Sequence, residues 1–118
     1  DELLTAVRIP LAQAGQGFGF KEFSHRHGDY ALCAVAVVAC SQGVRIAVGG
    51  VADCPIAQDW PLLQETDWDD ALNELAWRLQ ARDDLHLSAA QRRHLVRSLG
   101  RQALDQALAQ CAMKGERA

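Results

Sequence analysis

Residues 30–40, Tyr-Ala-Leu-Cys-Ala-Val-Ala-Val-Val-Ala-Cys, are an unbroken run of small and β-branched apolar side chains. The run is too short to span a membrane, which takes about 20 apolar residues. Its β-branched density reads as a strand apolar on both faces, hence central in a sheet or covered by helices. Ser41-Gln42-Gly43 is a tight turn, and residues 44–51 resume the strand pattern, so the two runs form a hairpin. Gly49-Gly50 near its end marks a bulge or a close backbone approach. A polar, charge-bearing segment ends at Gly28-Asp29 just before the run. That places Tyr30 at the lip of a buried strand, with Lys21 and Arg26 close in sequence.

Two more strands are expected upstream. Residues 3–9 alternate well enough for a strand that Pro10 stops, and residues 18–23 place aromatic side chains at period two. Residues 52–67 read as irregular, punctuated by Pro55 and Pro61. A helix is expected over 68–81, with Thr66 and Asp69 as a capping-box start and Trp68, Leu72, Leu75 and Leu79 as its apolar stripe. A second helix opens at Ser88 with Gln91 as capping partner. Leu95, Leu99, Ala103 and Ala107 line one face, flanked by Val96, Leu104 and Leu108, and Gly100 allows close packing on the sheet. Strands first and helices second, joined by hairpins, give an α+β sandwich: an antiparallel sheet of three to four strands with helices on one face.

At 118 residues this reads as one domain, able to bury roughly two thirds of its unfolded surface without staples. A net charge of -3 argues against nucleic-acid binding, which usually shows a basic excess. No basic stretch precedes the apolar run as in a signal peptide. Cys33, Cys40, Cys54 and Cys111 form no Cys-x-x-Cys pair, so zinc ribbons and thioredoxin chemistry are not expected. All four read as reduced thiols of a cytoplasmic protein. The chain begins Asp1-Glu2 with no initiator methionine, which reads as processing or as one part of a longer protein.

Several features could carry chemistry. His25-x-His27 could be half a metal site, or two exposed loop histidines; no acidic or cysteine cluster lies nearby in sequence to complete a shell. Arg92, Arg93, Arg97 and Arg101 give the second helix a basic stripe, either a surface for an anionic partner or a solvated face, with Arg101 able to pair with Asp105. Gly15-x-Gly17-x-Gly19 is followed by strand residues instead of a helix, so it is no dinucleotide fingerprint. Lys21, Arg26, Asp29 and Tyr30 combine cations with an amphipathic ring, which could hold an anionic or planar ligand or could brace a β-turn.

In order and spacing, these segments resemble the C-terminal domain of the FAD-binding medium subunit of molybdenum-containing hydroxylases, the family of carbon monoxide dehydrogenase and xanthine dehydrogenase. The resemblance rests on Glu2-Leu3-Leu4-Thr5-Ala6-Val7-Arg8-Ile9-Pro10, on Phe20-Lys21, Arg26 and Gly28-Asp29-Tyr30-Ala31, on Ile46-Ala47-Val48-Gly49-Gly50-Val51-Ala52, and on Asp84-Leu85-His86-Leu87-Ser88-Ala89 followed by Arg92-Arg93-His94-Leu95. It covers nearly the whole chain. It implies that Leu4 contacts the flavin ring through its backbone, that Lys21 lies close to the flavin, that Tyr30 lies over the ring, and that Asp29 fixes the loop. It implies FAD held mainly by a separate N-terminal domain, so this chain alone would bind FAD weakly or not at all. It further implies electrons arriving from a molybdopterin large subunit through [2Fe–2S] clusters of a small subunit, then passing to an external acceptor. The turn at Ser41-Gln42-Gly43 is shorter than the family's usual one, and Gln91 stands where an aromatic residue is common. A non-catalytic interaction module with no cofactor, docking through the arginine stripe and residues 52–67, is the alternative.

Overall fold

The computed structural model describes residues 1–115. Four strands, β1 (Gly17–Phe23), β2 (Cys33–Cys40), β3 (Gly43–Gly49) and β4 (Ile56–Trp60), pair antiparallel in sequence order. Two helices follow, α1 (Trp68–Arg78) and α2 (Ala89–Gly115), with a single 3-10 turn ahead of α1. The expected α+β arrangement is the observed one: α2 lies across β1 and β2, and α1 packs on α2.

The register explains the apolar run. Cys33, Val35, Val37 and Ala39 alternate inward on β2, joined by Val44, Ile46 and Val48 of β3, and all seven are buried. They meet Trp68, Leu72, Leu75 and Leu79, the stripe expected for α1, and Val96, Ala103, Leu104 and Ala107 of α2. Each fully buried valine, leucine or isoleucine among them contributes about 1.5–3 kcal/mol. Helices cover this one face only. On the other face Phe20 and Ala36 are exposed, and residues 10–13 pass over it, bounding with Val38, Arg45 and Trp60 an open cavity of about 630 Å³.

Close approach of α2 to the sheet depends on glycine. A Cβ on Gly17 or Gly19 would overlap the backbone carbonyl oxygens of Ala107 or Ala103. The glycine spacing that superficially suggests a phosphate loop is thus a seat for a helix. Gly100, expected against the sheet, instead faces α1, where a Cβ would come within 2.6 Å of the Leu72 side chain.

Several boundaries differ from the sequence reading. Residues 3–9 form no strand: the segment is irregular and Leu3, Leu4, Val7 and Ile9 are more than 70% exposed. Alternation makes a strand only where its backbone pairs with another strand, and residues 3–9 pair with neither edge strand of the sheet, β1 or β4. Residues 56–60, expected to be irregular, form β4 because the free edge of β3 pairs with them; Arg45 sits opposite Asp59 and binds it through two hydrogen bonds of 2.6 and 2.7 Å. Pro55 and Pro61 bound this strand instead of abolishing it. The apolar run enters the sheet only at Cys33. Helix α1 stops at Arg78, since Gln80 adopts φ +51° and turns the chain out of the helix. Thr66 gives α1 no side-chain cap; its hydroxyl donates to Asp67.

Candidate ligand-facing loop

Residues 24–32 connect β1 to β2 and carry Arg26, Asp29 and Tyr30. The loop is built from local bonds. The Ser24 hydroxyl donates to the Arg26 carbonyl (2.8 Å), and the Asp29 N–H donates to the same carbonyl (3.1 Å) around Gly28, whose φ of +91° favours glycine. At the base, the Leu32 N–H donates to the Phe23 carbonyl (2.8 Å). Asp29 therefore helps shape the turn through its backbone, while its side chain is exposed. Tyr30 is 98% exposed. Lys21 lies opposite Val35 on the strand that enters the loop, and by alternation shares the face of Gly17 and Gly19. Leu4 stands on a different segment, the exposed amino-terminal arm.

One end of the loop is tied to the connector between the helices and the other to the first turn of α2. At one end, His25 Nε2 meets His86 Nδ1 at 3.1 Å, with the rings edge to face. At the other, Arg92 is 5% exposed, the one buried charged residue among those described. Its Nη1 donates to the carbonyls of Leu32 (3.1 Å) and Gly50 (2.6 Å), and its Nη2 donates to the Asp84 carboxylate. Asp84 also accepts from the backbone N–H groups of His86 (2.8 Å) and Leu87 (2.9 Å). These two backbone bonds are the main reason its carboxyl is held below its ordinary pKa, with the Arg92 charge adding to them. The close approach expected at Gly49-Gly50 is real: Gly50 has φ +80°, and a Cβ there would lie 2.8 Å from the Ala31 carbonyl oxygen.

The other arginines of the stripe have partners within the fold. Arg93 lies 4.0 Å over the Trp77 ring, Arg97 donates to Asn73, and Arg101 pairs with Asp105 as expected and also with Asp69 and Glu65. Arg92 was legible as something else. It lies four residues before Val96, and 92, 96, 100, 103 and 107 follow one helical stripe, the one that enters the core. As for a metal, no group of three or more His, Cys, Asp or Glu residues that could hold an ion occurs among the described residues. His25 finds its ring neighbour in His86, across the fold, instead of a metal-ligand partner in His27. No helix among these residues is long and apolar enough to cross a membrane.

The chain matches no family model. It is 36% identical, over an alignment of 121 positions that takes in 91% of this chain, to the nicotine 6-hydroxylase medium subunit of Paenarthrobacter nicotinovorans. It is 38% identical over 58 residues, 49% of its length, to the caffeine dehydrogenase subunit beta of a Pseudomonas species. The chain spans 41% and 20% of those two relatives. Its fold matches a chain of the carbon monoxide dehydrogenase of Hydrogenophaga pseudoflava with a TM-score of 0.75 at 21% identity, over 87% of this chain and 40% of that one.

Proposed function

The chain belongs to the medium subunits of the molybdenum-containing hydroxylases, and from that premise we propose that it is the C-terminal domain of an FAD-binding subunit that covers the isoalloxazine end of the flavin. The observation that carries this reading is Tyr30: an aromatic ring 98% exposed on a loop whose two ends are tied down. A large apolar ring held out by a braced backbone is shaped to lie on a flat partner.

The residues present fit the ring end of FAD and not its phosphates. Gly15, Gly17 and Gly19 form no anion cradle, since the last two are filled by the backbone of α2. The phosphates belong to another domain, and this chain alone binds FAD weakly or not at all. Bound FAD supplies the two-electron chemistry. The chain's own part is to exclude water and shape access with Tyr30, and to bring the positive charge of Lys21 toward the ring, which favours the negative charge of a reduced flavin. Asp29 keeps the turn in shape, and the backbone at Leu4 approaches the ring from the amino-terminal arm. In the assembled cytoplasmic enzyme, a molybdopterin large subunit and the [2Fe–2S] clusters of a small subunit would supply electrons to the FAD, and an external acceptor would take them. A cofactor-free docking module is the second reading: its arginine stripe has partners within the fold, and part of its segment 52–67 forms the edge strand β4.

The test is made in the intact flavoprotein. Tyr30→Ala is expected to change acceptor kinetics more than FAD content, and Lys21→Ala to lower the flavin potential. An unaltered potential removes Lys21 from the site, and unaltered acceptor kinetics remove Tyr30.

A further inference from the structure

A guanidinium persists in a core only where its donors are met. Arg92 meets three acceptors on three elements: the Leu32 carbonyl ahead of β2, the Gly50 carbonyl after β3, and Asp84 in the helix connector. Leu32 lies two residues beyond Tyr30. The same short backbone is held from two further sides. Its Leu32 N–H is bonded to Phe23, and Gly50 lies so close that a Cβ would sit 2.8 Å from the Ala31 oxygen and 3.0 Å from the Leu32 carbonyl. The Tyr30 side chain is almost wholly exposed, so its location depends on the backbone that carries it.

We propose that Arg92 is the positioning residue of the Tyr30 loop, setting from α2 where that ring stands and hence how it meets a flat ligand. The proposal rests on the reading of Tyr30 as ligand-facing and goes beyond it, because it assigns control of the ring to a buried residue some sixty positions away in sequence. Arg92 touches no ligand in this account; it acts through the carbonyls of Leu32 and Gly50.

Arg92→Lys tests it. Lysine keeps the charge but lacks the planar fork that reaches several fixed acceptors at once. Hydrogen exchange is followed by mass spectrometry in the intact protein, comparing peptides over residues 29–32 with peptides over the centres of β2 and β3. The expected result is exchange faster by about tenfold or more at residues 29–32, with the sheet centre unchanged, because only a local hydrogen-bonded unit is released. No change at residues 29–32, or an equal change everywhere, overturns the proposal. Should Arg92→Lys fail to fold, Asp84→Asn carries the same measurement, since it removes the carboxylate that holds the guanidinium while keeping the side chain's size.

Acceptor kinetics of the intact flavoprotein separate the two ideas. A loosened loop with a raised KM for the acceptor, and a smaller effect on kcat, supports both. A loosened loop with unchanged KM leaves Arg92 as the positioning residue and rejects the flavin-facing reading of Tyr30. A changed KM without loosening rejects the role of Arg92.

Discussion

Gly19 of β1 and Ala103 of α2 touch backbone to backbone, with no space for a side chain between them. Gly17 and Ala107 repeat the contact one turn further along the helix. The pairing of a glycine strand with an alanine face lets α2 lie flat on β1. Gly19→Ala is therefore expected to destabilise the fold by about 3 kcal/mol or more, the upper end for overpacking, because the obstacle is backbone and cannot rotate away. Urea unfolding measures this; a loss under about 1 kcal/mol would show that the helix can shift without penalty.

Ser88 and Gln91 bond reciprocally at the start of α2. The Gln91 N–H donates to the Ser88 hydroxyl (3.1 Å), and the Ser88 N–H donates to Gln91 Oε1 (2.8 Å). Ser88→Ala should cost about 1 kcal/mol. Combined with Gln91→Ala, the total should differ from the sum of the two single losses, because the residues form one unit. Additive single and double losses in thermal melts would contradict the box.

The depressed carboxyl of Asp84 links stability to acidity. Its folded pKa lies below the unfolded value, so its contribution is present above the unfolded pKa of about 3.9 and is lost as the pH falls through the folded one. Melting temperatures from pH 7 down to 3 should show a steeper acid loss for the parent than for Asp84→Asn. Parallel curves would mean that the backbone bonds and Arg92 do not favour the charged carboxylate.

Thiol reactivity should follow burial. Cys54 is exposed, whereas Cys33 is fully buried and burial pushes its thiol up to about 11, against a smaller opposing effect of Arg92. Labelling of the native chain at pH 8 should modify Cys54 first and Cys33 only on unfolding. Because the folded pKa is raised, the stability contributed by keeping Cys33 neutral is complete below the unfolded thiol pKa and is lost as the pH rises through about 11. Early modification of Cys33 would reveal local opening of β2.

The amino-acid sequence alone determined the features whose physics is local or periodic. The β2–β3 hairpin follows from two apolar runs around a short turn, the stripe of α1 from its 3.6-residue spacing, and the start of α2 from a serine placed three residues before a glutamine. The α+β class and the family resemblance follow from the order of those pieces. The tertiary structure decided what depends on a partner distant in the chain. Residues 3–9 alternate and 56–60 lie between prolines, yet only the second segment pairs with the sheet, along the side of β3 that β2 leaves open. Tyr30 was visible as an aromatic residue at a strand's edge, but the bonds that hold its loop come from Arg92 and His86, on elements far along the chain. A side chain's type fixes which bonds it can make; whether it makes them in the core or in water is settled only when the helices close over the sheet.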